Sequence, residues 1–505
     1  MKNKLIFWVI PPLLLWLGIY GIVAEKFPWN SDFMAIVFIV KELFKGKIYL
    51  SPDTFLIKYP IIALLSNFLE FGRKYMWLLQ MTNGVVMAIG YTWYFADYAK
   101  RFISKKIPGI IVMASLFYIA TMSYMFYGFT VHPFLRNSEM ALMLLFLVIF
   151  RKSKIGGFLT IILMHLNDAY FTFVFIVPLL VAEIISASVA KKDLNINKRF
   201  IWIAAAVILA YLLRGKVINR SNYFVIYEEQ PVFQEWKGIQ SSLPIIQESL
   251  IGLVGGDIFN LRFFGIQAWA AIGALGLVLL ATAGLIKLFA DGIKKGEPEM
   301  ILPLTSTVIT TVITLLSTKF EGLNSGRYFI IVCFWLPLGL MYYLWQIRQI
   351  KRLFWITILG VIVISGLKTR VIINKNKQND FWRDNFYHLE LVNFLKKNNL
   401  KYGYSGFWSA GITTFLSKEE IRVRQIGCGD GVAMPQNWVI LDKWYKPEYY
   451  SGPSFIFLDT FREDKDSLRS CNEKDMVERF GKPQKVLEFE KDKIYVFDYN
   501  VAERF

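Results

Sequence analysis

Apolar residues run along this chain in long blocks separated by polar stretches. A helix of roughly 20 apolar residues crosses the ~30 Å hydrocarbon core of a bilayer. By run length the blocks predict about eleven spans, near 5–24, 76–97, 108–128, 138–150, 155–166, 169–190, 200–213, 266–289, 301–318, 328–346 and 353–367. The fourth, fifth and seventh are short, and short spans tilt little, thin the bilayer or stand behind other helices. Lys2 and Lys4 ahead of Leu5–Ala24 look at first like a signal peptide. That run is about 20 residues long with no small-x-small cleavage site after it, so it reads as a retained first span.

The loops alternate in character. One set is short and basic: Lys100-Arg101 with Lys105-Lys106, Arg151-Lys152-Ser153-Lys154, Lys191-Lys192 with Lys198-Arg199, Lys294-Lys295, and Arg348 with Lys351-Arg352. The excess of Lys and Arg places these, with the N-terminus, in the cytoplasm, and an odd number of spans then places the C-terminal region outside. The other set is longer. The loop at 25–75 holds an amphipathic stretch, Phe33–Phe44, expected to lie along the membrane surface. The loop at 214–265 contains Glu228-Glu229, Trp236 and Gly255-Gly256.

From about 370 the pattern changes. Tyr387–Asn398 predicts a helix, Glu419–Gln425 and Ser454–Asp459 strands, Asp475–Phe480 a short helix and Val486–Tyr499 a hairpin. Lys401–Ala410 suits a strand, turn and helix. The expected fold is a polytopic α-helical membrane protein with about eleven transmembrane helices and a small C-terminal α/β extracytoplasmic domain. Residues 1–369 form the transmembrane domain, with surface helices in the 25–75 loop, and residues 370–505 the outer domain.

Composition agrees. Of 505 residues, 55% are hydrophobic, 16% aromatic and 19% charged, against ~25% charged in soluble domains. The net charge of +18 comes with no nucleic-acid-binding motif; Lys and Arg lie between apolar blocks, where they set topology and meet anionic lipid headgroups. Cys333 falls in an apolar block. Cys428 and Cys471 fall in the polar C-terminal region, where an oxidising compartment would allow them to pair.

Several polar clusters interrupt the apolar pattern on the expected outer side. Asp32 follows the first span and suits either a general base or the N-cap of a helix beginning at Phe33. Thr130-Val131-His132-Pro133-Phe134-Leu135-Arg136-Asn137-Ser138-Glu139 lies between the third and fourth spans, with Arg136 and Glu139 on nearly one helical face. His165-Leu166-Asn167-Asp168 joins two short spans and suggests a cavity-lining re-entrant turn; a lone His is also a common packing residue. Lys319-Phe320-Glu321-Gly322-Leu323-Asn324-Ser325-Gly326-Arg327-Tyr328 enters a late span, where Arg and Tyr also serve as interfacial anchors.

The series Asp32, Ala35, Lys41-Glu42, Gly46-Lys47-Ile48-Tyr49 and Lys58-Tyr59-Pro60-Ile61 resembles the first outer loop of the membrane-embedded C-type glycosyltransferases, which use polyprenyl-phosphate sugars. The Gly-x-x-Tyr and Tyr-Pro elements look like those of bacterial polyprenyl-phosphate-mannose-dependent mannosyltransferases. Lys-x-Pro resembles the lipid A aminoarabinose transferases. The resemblance implies Asp32 as catalytic base, Glu139 as a second acidic residue, and Lys58, Arg327 and His165 as ligands of the donor phosphate. Lys58 also suits a snorkelling role. His132, Arg136, Asp168, Tyr59 and Tyr328 would contact sugar or acceptor, although Arg136 and Glu139 also suit a structural ion pair. The aminoarabinose family has Glu before the lysine, near a metal; here it is Ile57, and no metal or other cofactor is expected. The segment Lys401–Ala410 is similar to outer domains of that superfamily.

No Walker loop, dinucleotide fingerprint, zinc-protease motif or nucleophile elbow occurs, which fits a lipid-linked donor. The implied activity is inverting sugar transfer from a polyprenyl-phosphate donor to a glycan, lipid or protein acceptor at the outer face of a bacterial plasma membrane. The alternatives are a flippase or transporter of lipid-linked glycan, which predicts inverted repeats and mid-membrane charges, and a glycan polymerase or ligase. For the latter the 214–265 loop is poor in His.

Overall fold

A computed structural model describes residues 2–26, 31–42, 45–50, 58–132, 137–189, 198–218, 223–226, 233–258, 261–262, 264–318, 323–378, 381–429, 432–436, 439–458 and 473–505. The chain forms two compact units. The first is Met1–Lys26, Gln80–Leu212 and Glu229–Gln378; the second is Phe27–Leu79, Leu213–Glu228 and Asn379–Phe505.

Each of the expected apolar runs is helical. In chain order the helices are α1 (Lys2–Lys26), α2 (Ser31–Lys41), α3 (Tyr59–Phe68), α4 (Arg73–Tyr98), α5 (Gly109–Ala120), α6 (Tyr124–Val131), α7 (Asn137–Lys152), α8 (Lys154–Asn167), α9 (Val177–Val189), α10 (Lys198–Leu212), α11 (Trp236–Val254), α12 (Ile266–Lys295), α13 (Pro298–Leu316), α14 (Ile330–Ile347), α15 (Lys351–Gln378), α16 (Phe381–Lys397), α17 (Phe407–Leu416) and α18 (Glu473–Phe480). Among the described residues six helices are long and apolar enough to cross a membrane, or seven if the bent pair α5–α6 is one span. The expected count of eleven is therefore not reached on length and apolarity. α7 and α8 have 16 and 14 residues, roughly 21–24 Å at 1.5 Å per residue, short of the hydrocarbon thickness.

In the first unit α14 is buried along most of its length, and α12, α13 and α5 pack on it. The α12–α14 seam is closed by glycines. A Cβ on Gly284 would lie 1.9 Å from the Gly339 carbonyl oxygen, and one on Gly339 would lie 2.1 Å from that of Ala281, so the two backbones touch. α1 packs on α5, with Trp16 against Tyr91 and Phe334. Thr121, Met122 and Ser123 separate α5 from α6, which bend by 77°. Ser123 caps the new helix by accepting from the Phe126 amide at 2.9 Å.

Charges of the basic loops are more than topology signals here. Glu299, 2% exposed, accepts from Arg151 at 2.6 Å and from Arg101 at 2.9 Å. Arg151 also pairs with Asp97. One buried carboxylate thus ties the ends of α4, α7 and α13.

The second unit is built on a six-stranded mixed sheet. Its strands are β3 (Tyr402–Ser405), β4 (Arg422–Gly429), β5 (Val432–Pro435), β7 (Ser454–Leu458), β8 (Lys485–Phe489) and β9 (Asp492–Phe497), in spatial order β5-β4-β3-β7-β9-β8. β3 runs parallel to β4 and β7, and the β8–β9 hairpin closes one edge. A second, three-stranded sheet joins β1 (Ile48–Leu50), β2 (Phe224–Ile226) and β6 (Ile440–Leu441). Gly46 explains its own place: a Cβ there would lie 2.7 Å from Asp442 Oδ1. That carboxylate accepts from the Lys47 amide at 2.7 Å. The Gly-x-x-Tyr element is thus the strand that fastens the first loop to the C-terminal fold.

α2 differs from the expected surface helix. Met34 through Val40 are all buried, because aromatic and basic groups of the second unit enclose the helix. It also begins at Ser31, which puts Asp32 inside the first turn rather than at a cap before Phe33. Cys333 is a buried free thiol. The Cys428 side chain and Cys471 lie outside what the structure describes, as does any pairing between them.

Candidate functional site

In the second unit the relevant residues sit on α2 and just before α3. Of Asp32 only the backbone is described. The far end of its helix is firmly held. Lys41 pairs with Glu419, and its ammonium stands 4.8 Å over the Phe71 ring. Phe71 in turn stacks on Phe415 at 5.3 Å. Glu42 pairs with Lys443 at 3.0 Å and with Arg424 at 3.7 Å, and accepts from the Tyr449 hydroxyl at 3.0 Å and the Trp444 indole at 3.2 Å. Arg424 is 2% exposed, with its guanidinium 4.1 Å over Trp444.

Burial alone would raise the Glu42 carboxyl. The Lys443 hydrogen bond and the Arg424 charge outweigh it and hold the group below the ordinary range. A depressed folded pKa gives stability that is present above the unfolded value, near ~4.3 for Glu, and lost as pH falls through the folded value. Glu42→Gln should therefore speed hydrogen exchange of the Met34–Val40 amides relative to wild type at pH 6, and that difference should vanish by pH 3. A difference of equal size at both pH values would show that the carboxylate charge is not what anchors α2.

Lys58 precedes α3 in a helical backbone conformation and is 1% exposed. Pro60 in the first turn, with its fixed φ, suits the start of that helix. Tyr59 is buried. Its hydroxyl has no hydrogen-bond partner among the described residues, and burial raises its pKa.

In the first unit two of the polar clusters come together, those that hold Asp168 and Tyr328. Tyr170 links them: its hydroxyl donates to the Tyr328 carbonyl, and the two rings are 5.4 Å apart. Asp168 ends α8 and is buried; its Oδ1 accepts from the Tyr170 amide at 2.8 Å, fixing the turn. His165, on the last turn of α8, is buried with Nδ1 2.6 Å from Thr172 Oγ1. Thr172 opens a π-helical turn.

Arg327 lies in the 3₁₀ turn Leu323–Phe329 that leads into α14. Its guanidinium is 5.4 Å from the Tyr328 ring, and its buried Nε has no partner among the described residues. At Gly326 a Cβ would meet Met125 at 3.0 Å and Phe129 and Ser249 at 3.3 Å. The turn therefore rests on α6, which ends at His132, and on α11. Arg136 lies outside the described residues, and of Glu139 only the backbone, in the first turn of α7, is described.

Around the Tyr170–Tyr328 contact the chain thus carries a guanidinium, a buried imidazole, a buried carboxylate and two phenols, side chains of the kinds that hold a phosphate or sugar hydroxyls. Among the described residues no group of three or more His, Cys, Asp or Glu is arranged to hold a metal. Sequence reading missed Tyr170, which is simply an aromatic after Asp168, and Lys368, which lies one residue beyond the expected last span but is buried inside α15. A lysine continuing an apolar run was the available signal for the second.

No protein-family model matches the sequence, and no curated protein matches it. Among solved structures, the chain is similar to the oligosaccharyltransferase of Archaeoglobus fulgidus, crystallised tethered by a disulfide to an acceptor peptide containing the NVT sequon. The TM-score is 0.46 and the identity 10%, over 88% of this chain and 65% of that one. This chain thus spans just under two thirds of that enzyme's length.

Proposed function

We propose that this protein is a glycosyltransferase that moves a sugar from a polyprenyl-phosphate donor to a glycan, lipid or protein acceptor on the extracytoplasmic face of the membrane. The observation that carries the reading is the series Asp32, Gly46-Lys47-Ile48-Tyr49 and Lys58-Tyr59-Pro60 placed directly after an apolar first helix.

In this reaction the Asp32 carboxylate takes the proton of the acceptor hydroxyl as its oxygen attacks the anomeric carbon. The bond from that carbon to the phosphate oxygen breaks, and its electron pair stays on the phosphate. Lys58, Arg327 and His165 hold the leaving phosphate. Glu139 stands as a second acidic group, and His132, Arg136, Asp168, Tyr59 and Tyr328 contact sugar or acceptor. Attack opposite the leaving group inverts the anomeric centre.

The test is transfer of labelled sugar by the purified chain in lipid vesicles. Label should move from a polyprenyl-phosphate sugar and not from a nucleotide sugar. Lys58→Met should weaken donor use by roughly ten- to hundredfold, the size of a lost charge-assisted hydrogen bond. Transfer from a nucleotide sugar alone, or a Lys58→Met protein with an unchanged donor KM, would overturn the reading.

A further inference from the structure

The first unit holds a cavity of 270 Å³ lined by residues of α11, α12, α15 and the α5–α6 elbow. None of the residues assigned above to transfer lines it. Its charged wall is Lys368, which is 3% exposed. Nothing among the described residues accepts a hydrogen bond from its ammonium; the face of Tyr118 stands with its ring centre 5.4 Å away. An ammonium removed from water without an acceptor is costly. A cation–π contact of about 2 kcal/mol offsets only part of that cost.

The other side of the cavity is a helix end. Ser123, Tyr124 and Met125 line it, and they are the N-cap and first residues of α6. The 77° bend at the elbow turns this end away from the axis of α5. The first amides of a helix have no acceptor inside it, and together they carry about half a positive charge. Gly255, the left-handed cap of α11 at φ 74°, brings the pieces together. A Cβ there would stand 3.0 Å from the Met122 carbonyl oxygen, 3.4 Å from Ser123 Cβ and 3.5 Å from Lys368 Cε. The buried lysine stem and the helix start therefore both border Gly255.

Two positive features, one a full charge and one a helix end, border the same space. Lys375, two turns along α15 from Lys368, adds a second ammonium to the lining. Glu248 and Asp257 also line the cavity. Their carboxylates suit hydroxyl groups carried next to an anion, and Met122, Met125, Leu261 and Ile372 supply apolar wall. A phosphoryl group, with three acceptor oxygens and more charge than a carboxylate, matches an ammonium and a helix start at once.

We propose that this cavity binds a phosphoryl group, with the Lys368 ammonium and the amino-terminal end of α6 as its ligands. The inference stands apart from the transfer reaction and needs no residue assigned to it. A phosphoryl group reaches such a site either as the headgroup of a lipid or as free phosphate, and the chemistry of the site is the same for both.

The test uses the full chain in uncharged detergent, carrying Lys58→Met to weaken phosphate binding at the proposed donor site, so that the Lys368 and Ser123 variants are judged against that background. The probes are geranyl phosphate, geraniol and inorganic phosphate, and binding is read by calorimetry. Lys368→Met and Ser123→Asp are compared with the parent. Methionine fills the same space without charge. Aspartate is as good an N-cap as serine but places a negative charge on the cavity. Both variants should keep the parent's melting temperature or exceed it, and should bind geranyl phosphate roughly ten- to hundredfold more weakly.

Geranyl phosphate bound far more tightly than inorganic phosphate identifies a lipid headgroup as the ligand. Equal affinity for the two, lost in both variants, identifies free phosphate. Unchanged geranyl phosphate affinity in Lys368→Met and Ser123→Asp, or geraniol bound as well as its phosphate, overturns the proposal. Loss of sugar transfer in Lys58→Met, with this binding intact, leaves the two readings separately judged.

Discussion

Asp32→Asn is expected to lower sugar transfer by something like 10²–10⁴-fold while the protein is made and folded normally. The substitution keeps the size of the side chain and removes only its ability to take a proton. Asp32 stands inside the first turn of α2 and not at its cap. A charge there stabilises the helix by about 0.3–1 kcal/mol through the helix dipole, which is too little to unfold a helix whose residues Met34–Val40 are buried. Structural and catalytic roles are therefore well separated in size. The measurement is turnover with a polyprenyl-phosphate sugar, alongside the melting temperature of the same preparation. An Asn variant that turns over at the wild-type rate removes Asp32 from the mechanism and points to Glu139.

The second large effect concerns the buried carboxylate. Replacing both Arg101 and Arg151 with Ala should lower stability by about 3–5 kcal/mol, because it leaves the buried Glu299 carboxyl without its arginines. Either arginine alone should cost less, since the other still reaches Glu299. Adding Glu299→Gln to the double variant should restore most of the loss, because a neutral amide needs no counter-ion. Thermal unfolding in detergent reads all four proteins. A triple variant that melts as low as the double would mean that the arginines act through packing on their neighbours, not through charge.

Much of the architecture was legible in local pattern. The long apolar runs are helical, one of them broken into α5 and α6, and the strands at Arg422–Gly429, Ser454–Leu458 and the Lys485–Phe497 hairpin fall close to where alternation placed them. These are short-range signals, set by run length and period. What pattern could not supply is pairing across the chain. Nothing local in Ile48–Leu50 says that it lies beside Phe224–Ile226 and Ile440–Leu441. α2 looked amphipathic because its polar residues sit at its ends; its enclosure comes from partners up to about four hundred positions away, such as Lys443, Trp444 and Tyr449.

The candidate site divides in the same way. Asp168, His165, Arg327 and Tyr328 stood out as polar residues at the ends of apolar runs. Their gathering depends on Tyr170, whose role rests on a bond to a carbonyl 158 positions away. The break between α5 and α6 did leave a trace, Thr121 and Ser123 inside an apolar block. Hydrophobicity alone reads through such residues, although hydroxyl side chains compete with the helix for its own amides. Lys368 left a trace of the same kind.

The glycine seam joining α12 to α14 has a mechanical meaning. Where backbones touch, neither helix can slide or roll past the other without a carbonyl oxygen climbing over an α-carbon. The pair therefore behaves as a fixed post within the first unit. If the protein changes shape as it works, the displacement is carried by helices held through side chains, which can re-sort their contacts, and by the elbow at Thr121–Ser123. The post remains the frame of reference against which such movement is made.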